Sequence, residues 1–363
     1  MSLAAERPDL SGLLETGPYS LPAAEKQARL RDGLGRLTTY HQQHCPGYAR
    51  MLDALGGWTG EAHSVAAIPF LPVRLFKELE LLSVPREDVF KTLSSSGTSG
   101  QQVSRIFLDR PTAALQGKVL ARLMVDLLGG KRLPMLIIDT PSVLKDRQAF
   151  SARGAGILGF SLFGHDVTYA LDDRMQLDLP RIEAFLDRHR DAPIFVFGFT
   201  YMLWQHVHLP LQAAGRRLAL NGGVLLHGGG WKKLQNLSVD NAAFKAALSE
   251  STGLDRVVNY YGMVEQTGSI YLECPAGHLH TPIFSDVLIR DPLDFSELPA
   301  GRSGLIEVVS LLPGSYPGHA LLTEDQGRLL GEDDCPCGRL GRYFLVEGRI
   351  ARAEIRGCSD THA

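Results

Sequence analysis

The sequence predicts an α/β protein, a mostly parallel sheet with helices between its strands, joined to a smaller β-rich part. Three observations predict it. Between residues 135 and 259 short apolar runs alternate with helix-forming stretches, the rhythm of βαβ units. From about residue 269 strand-like runs continue without helices between them. Between Val89-Phe90 and Arg105-Ile106-Phe107-Leu108 lies the run Ser94-Ser95-Ser96-Gly97-Thr98-Ser99-Gly100, in which every residue has a hydroxyl or no side chain. Such a run suits a loop that carries backbone N–H groups and hydroxyls up to an anion. The same composition also makes flexible linkers, but a linker is usually longer and flanked by more polar segments.

The N-terminal region, residues 1–93, reads as helical. Ala23 to Leu37 is rich in helix formers, and Pro22 suits a first turn. Tyr48–Leu55 forms a second helix, stopped by Gly56-Gly57. After the Ser/Gly run, Arg105–Leu108 is a strand and Pro111–Leu128 a helix stopped by Gly129-Gly130. Residues 94–268 form the α/β core. Its strands are Met135–Asp139, Val167–Leu171, Ile194–Phe197, Val224–Leu226 and Arg256–Asn259; its helices include Leu179–Arg188, Tyr201–Ala213 and Asn241–Ser251. Ligands of such folds gather at loops after the carboxyl ends of strands. Three loops qualify here: Ser94–Gly100, His227–Gly230 and Tyr260–Glu265. Residues 269–345 form the β-rich part, with strands at Ile283–Ile289, Gly304–Ser310 and Ala320–Thr323, and residues 346–363 a C-terminal arm.

The chain has 363 residues, 37 Lys and Arg against 40 Asp and Glu, and five cysteines. This balance argues against a dedicated nucleic-acid binder. No apolar stretch approaches the roughly 20 residues that span a bilayer, and the first residues hold no signal-peptide core. The chain is therefore expected in the cytoplasm. An odd number of cysteines fits buried, metal-bound or reactive thiols better than a disulfide framework.

Tyr260-Tyr261-Gly262-Met263-Val264-Glu265 follows a strand. A Tyr face stacks on a base, Gly lets the backbone come close, and a carboxylate reaches a hard cation such as Mg²⁺; a tight turn with a solvated Glu is the plainer reading. Cys274, followed by His278 and His280, and Cys335-Pro336-Cys337-Gly338 bring soft ligands in two clusters. They read as a structural tetrahedral zinc site of Cys274, Cys335, Cys337 and one histidine, His280 being favoured over His278. Reduced, partly buried thiols are the alternative, and Cys45 reads as an ordinary thiol. Among the aromatics of Phe195–Trp204, usually core, the edge near Phe199–Thr200 could line an acyl pocket.

Together these motifs resemble the adenylate-forming superfamily of acyl-CoA synthetases and their relatives. Ser95, Ser96, Gly97, Thr98, Ser99 and Gly100 resemble its phosphate loop. Gly228 and Gly229 resemble its adenine-contacting turn. Tyr261-Gly262-Met263-Val264-Glu265 resembles its Tyr-Gly-x-Thr-Glu motif, with Val264 in place of Thr, and Thr323-Glu324-Asp325 its Thr-Gly-Asp element. The resemblance implies ATP and Mg²⁺, with Tyr261 on adenine, Glu265 on the metal, Asp325 on ribose and Arg349 at the nucleotide. Where the commoner pattern has Pro-Lys after the last Gly, this chain has Gln101-Gln102-Val103, so a phosphate-contacting lysine is missing and Arg105 is the candidate substitute.

Only 38 residues follow Asp325, too few for the superfamily's mobile C-terminal domain. The ending, with Cys358 in Arg356-Gly357-Cys358-Ser359-Asp360, resembles the acyl-protein synthetases (long-chain-fatty-acid–protein ligases). That resemblance implies activation of a carboxylic acid, in that family a fatty acid, as acyl-AMP, transfer to Cys358 as a thioester, and delivery to an acyl reductase or other acceptor protein. Arg349, Arg352 and Arg356 would lower the thiol's pKa. Two alternatives stay open: a phenylacetate-type CoA ligase, whose relatives carry a similar Cys-Pro-Cys-Gly segment, and a zinc-stabilised scaffold without catalysis, favoured by the missing lysine.

Overall fold

A computed structural model describes residues 6–95, 103–144, 152–231 and 239–350. The chain divides into two compact units, residues 1–122 with 262–363, and residues 123–261. The first is thus built from both ends of the chain.

The first unit begins with α1 (Ser11–Leu14), α2 (Ala23–His44) and α3 (Pro46–Ala54). Leu30, Leu34, Leu37, Thr38 and His41 of α2 recur on one helical face and are buried. The helix therefore runs a further two turns past Leu37, because Thr38 and His41 are core residues despite their polarity. The chain continues through β1 (Leu71–Pro72), α4 (Leu75–Glu78), and an antiparallel hairpin of β2 (Val89–Ser94) and β3 (Arg105–Asp109). α5 (Arg110–Leu128) follows directly; Asp109 Oδ1 accepts the Thr112 N–H at 2.9 Å, and Gly129 and Gly130, both at positive φ, end it.

The second unit holds β4 (Leu133–Ile137), α6 (Ala152–Ser161), β5 (Gly164–Tyr169), α7 (Leu179–Arg188), β6 (Phe195–Phe199), α8 (Thr200–Leu203), α9 (Leu209–Ala213), β7 (Val224–Gly228), α10 (Asn241–Thr252) and β8 (Arg256–Tyr261). Its five strands are parallel in the order β8-β7-β6-β4-β5. Leu136, Val196 and Leu225 from neighbouring strands pack with Phe185, Phe244 and Leu248 from the helices. The helix expected over Tyr201–Ala213 is interrupted by a π-turn at Trp204–His208. Pro210 has no N–H to return to the preceding turn, and the widened turn accommodates it.

The chain then re-enters the first unit with β9 (Tyr271–Glu273), β10 (Leu279–His280), β11 (Ser285–Arg290), β12 (Ser303–Ser310), β13 (Ala320–Glu332) and β14 (Arg342–Arg349). They form an antiparallel sheet in the order β11-β12-β13-β14-β10-β9, with β1 parallel to β13. β13 extends nine residues past Thr323 because β14 pairs along it. No helix among the described residues is long and apolar enough to cross a membrane.

Candidate active site

In the first unit the β2–β3 hairpin presents the Ser/Gly run. Ser95, its second residue, is the last one described before residue 103: its N–H donates to the Ser104 carbonyl at 3.1 Å and its Oγ accepts the Ser104 N–H at 2.9 Å, so pairing continues past Ser94 and Arg105. Ser96, Gly97, Thr98, Ser99 and Gly100 lie outside the described residues, as does Cys358. Glu265 sits in a single 3₁₀ turn, Val264–Gln266, and is buried. The turn is pinned from both sides. Tyr316 Oη donates to the Glu265 carbonyl at 2.7 Å, and Gln266 Nε2 donates to the carbonyls of Val308 at 3.1 Å and Gly318 at 2.8 Å. Burial pushes the Glu265 carboxyl up from its ordinary range, while the Ser104 side chain and the cations of Lys77 and Arg349 draw it down. A buried carboxylate that burial alone disfavours fits a hard cation such as Mg²⁺, which would stabilise its ionised form.

Asp325 lies on β13, in register with Arg349 on β14, and Arg349 Nε stands 3.4 Å from Asp325 Oδ1. Thr323 Oγ1 accepts the Asp325 N–H at 3.1 Å. Ser95, Ser104, Glu265, Asp325 and Arg349 therefore belong to one unit, although 254 residues separate the first from the last. Ser104 and Lys77, which also act on the Glu265 carboxyl, carry no signal in the sequence. Neither lies in a recognisable motif, and only folding brings them to Glu265. Arg105, the candidate substitute for the missing lysine, is held by Glu80 at 2.8 Å. Gly262 opens this segment, and a Cβ there would lie 3.0 Å from Ile270 Cγ2.

In the second unit Gly228 ends β7 and Tyr261 ends β8, both at the carboxyl edge of the parallel sheet. A side chain at Gly228 would strike the Tyr260 ring, and Gly229 has φ +77°, so this turn needs glycine. Beside it His227 is buried and neutral, held down to about 3 by burial, with Lys245 adding to the effect. Its Nδ1–H donates to Thr200 Oγ1 at 3.0 Å, because the Thr200 hydroxyl donates to the Gly228 carbonyl at 3.2 Å. On the same edge Asp139, which follows β4 and is fully buried, pairs with Arg153 at 3.0 Å.

The cysteine clusters converge. Cys274 follows β9, His280 lies in β10, and Cys335 and Cys337 occupy the turn between β13 and β14. Their ligand atoms all lie within 4.8 Å of one another. Cys274 Sγ is 3.9 Å from Cys335 Sγ, and Cys337 Sγ is 3.3 Å from His280 Nε2. Two thiolates on one tetrahedral zinc stand about 3.8 Å apart, and a thiolate and an imidazole nitrogen about 3.5 Å, so the donor set fits that ion. Burial, with Arg339 and His278 nearby, holds His280 down to about 4 and so neutral. His278 Nδ1 is 3.4 Å from Cys335 Sγ, outside the converging four.

A family model described as acyl-protein synthetase, LuxE, matches residues 5–363. The long-chain-fatty-acid–luciferin-component ligase of Aliivibrio fischeri is 23% identical over 355 residues, which cover 92% of this chain and 88% of that protein. The ligase of the same name from Vibrio harveyi is 23% identical over 340 residues, 88% of this chain and 83% of its own. Among solved structures, 2-hydroxyisobutyryl-CoA ligase in complex with its acyl-AMP and CoA superposes with a TM-score of 0.70 at 19% identity, over 91% of this chain and 71% of that one. At this identity the likeness is one of fold, that of an adenylate-forming ligase. With the family model matching almost end to end, the chain belongs to the LuxE acyl-protein synthetases, a family of acyl-activating ligases.

Proposed function

We propose that the protein activates a fatty acid on ATP and passes the acyl group to its own Cys358, for delivery to an acyl reductase or another acceptor. The observation that carries this reading is the gathering of Ser95 and Ser104, Glu265, and the Asp325–Arg349 pair in one unit around the base of the Ser/Gly loop. In the first step a carboxylate oxygen attacks the α-phosphorus of ATP, the bond to the bridging oxygen breaks, and pyrophosphate leaves with the electron pair. Backbone N–H groups and hydroxyls of residues 95–100 bind the phosphates. Asp325 accepts hydrogen bonds from the ribose hydroxyls, Arg349 remains beside it at the nucleotide, and Tyr261 stacks on adenine with Gly228 and Gly229 allowing close approach. Glu265 would hold Mg²⁺, whose chemistry is to neutralise charge on the phosphate oxygens. In the second step the Cys358 thiolate attacks the acyl carbonyl, AMP leaves, and a thioester forms. Eight residues lie between Ile350 and Cys358, counting the cysteine, and that length of chain spans at most roughly 28 Å. Ile350 is anchored beside the nucleotide residues by its N–H to the Glu324 carbonyl at 3.1 Å.

The same reading gives Cys274, His280, Cys335 and Cys337 a structural zinc. It would join the β9–β10 turn to the β13–β14 turn. Asp333, in that second turn, accepts the Ala23 N–H of α2 at 2.8 Å and the Gly341 N–H at 2.7 Å, so the clasp reaches the first long helix.

Acid-dependent exchange of labelled pyrophosphate into ATP tests the activation step, with a panel of fatty and aromatic acids giving the substrate class. Exchange with long-chain acids is expected. Its absence with every acid leaves a scaffold without catalysis.

A further inference from the structure

The phosphate loop lacks the lysine its pattern usually carries, and the fold offers another source of positive charge. We propose that Lys77, near the end of a short helix outside every motif, is the cation that contacts the β- and γ-phosphates of ATP. This rests on the acyl-activation reading.

Three features place Lys77. First, β1 runs parallel to β13, with Leu71 opposite Leu321 and Pro72 opposite Leu322, and the Val73 N–H donates to the Leu322 carbonyl at 2.9 Å. The pairing ends at Leu322, one residue before Thr323-Glu324-Asp325, and α4 starts at Leu75, two residues after the last bond of that pairing. Second, Phe76 is buried and packs edge-on against Tyr316 at 6.0 Å, and Tyr316 in turn donates to the Glu265 carbonyl. The helix is therefore fixed to the turn that carries Glu265, and Lys77, the next residue, faces outward there. Third, the neighbouring cations are engaged. Arg74 pairs with Glu78, Arg86 and Arg105 both pair with Glu80, and Arg349 pairs with Asp325. Among the described residues Lys77 has no carboxylate partner, yet its charge acts on the Glu265 carboxyl.

An ammonium on a four-carbon stem, free to turn, is a compact phosphate donor. At this position it would stabilise the charge that gathers on pyrophosphate as the bond to the α-phosphorus breaks. The acid substrate would not touch it.

Pyrophosphate exchange on the full chain tests this, comparing wild type with Lys77→Ala, Lys77→Arg and Arg74→Ala. Loss of one charge-assisted contact is expected to lower kcat/KM for MgATP and for pyrophosphate by about 10- to 100-fold in Lys77→Ala. KM for the acid should stay unchanged, Lys77→Arg should recover most of the loss, and Arg74→Ala should match wild type. Melting temperatures should agree across the set, since Lys77 is exposed. If wild type exchanges and Lys77→Ala exchanges equally well, or loses only acid affinity, the assignment of Lys77 is overturned while the activation reading stands. If wild type exchanges with no acid, the activation reading itself has failed.

Discussion

Lowering the pH should destabilise the first unit through two buried histidines, and replacing one of them should remove its share. His319 and His41 are buried with rings stacked 5.1 Å apart. The Thr38 hydroxyl donates to the Leu34 carbonyl at 2.9 Å, so Thr38 Oγ1 must accept from His319 Nε2–H at 2.8 Å. Among the described residues His319 Nδ1 has no partner, and a proton added there would be buried and unpaired. His41 is likewise neutral, its Nε2–H donating to the Pro313 carbonyl at 3.0 Å and its Nδ1 accepting from Ser83 at 2.7 Å. Burial holds His319 down to about 3 and His41 well below its ordinary value. Both folded pKa values are depressed, so the unfolded chain binds more protons once the pH drops below about 6.5, and stability falls as the pH falls. At pH 5 the unfolded state gains about 1.5 pK units of proton binding at His319, worth about 2 kcal/mol, and His41 adds a loss of the same sign. His319→Gln keeps a donor for Thr38 and cannot titrate. Urea unfolding followed from about pH 4 to 6 should show a stability slope shallower than wild type by about 1.2 kcal/mol per pH unit. Parallel slopes would show that His319 takes up its proton equally in the folded and unfolded chain, whatever the variant's absolute stability.

Other expectations concern the site and the fold. Glu265→Gln should reduce pyrophosphate exchange by at least about 100-fold while the protein still melts cooperatively, as scanning calorimetry would record. Elemental analysis of purified protein should find one zinc per chain. Cys335→Ser should lose it, and a strong chelator should lower the wild-type melting temperature by at least about 5 °C. Gly268 has φ +87°, and a Cβ there would lie 3.0 Å from the Gln116 backbone. Gly268→Ala should therefore cost about 2–4 kcal/mol by urea titration, combining left-handed strain with overpacking.

The parallel sheet was readable because its central strands, β4, β6 and β7, are buried on both faces and so appear as apolar runs such as Met135–Ile138 and Phe195–Phe197. The clustered cysteines and histidine were readable by residue type. Their convergence depends on Leu279 pairing with both Glu273 and Phe344, a register no local pattern specifies. The end of α2 was hidden because Thr38 and His41 are polar by type yet find partners in Ser83, Pro313 and His319, far along the chain. Lys77 was invisible for the same reason: its neighbour in space, Glu265, is 188 residues away. Motifs carry the parts of a site that are contiguous in sequence, whereas the cations and hydroxyl around Glu265 come from α4, β14 and the residue before β3.

Transfer of the acyl group from AMP to Cys358, as proposed above, can be read by mass spectrometry of the intact chain. Incubated with a long-chain acid and MgATP, without CoA, the wild-type protein should gain one acyl group. Hydroxylamine should remove it, and peptide mapping should place it on Cys358. Cys358→Ala should retain pyrophosphate exchange and gain no stable acyl group. Acylation that persists in Cys358→Ala, or product that forms only when CoA is supplied, would contradict the account.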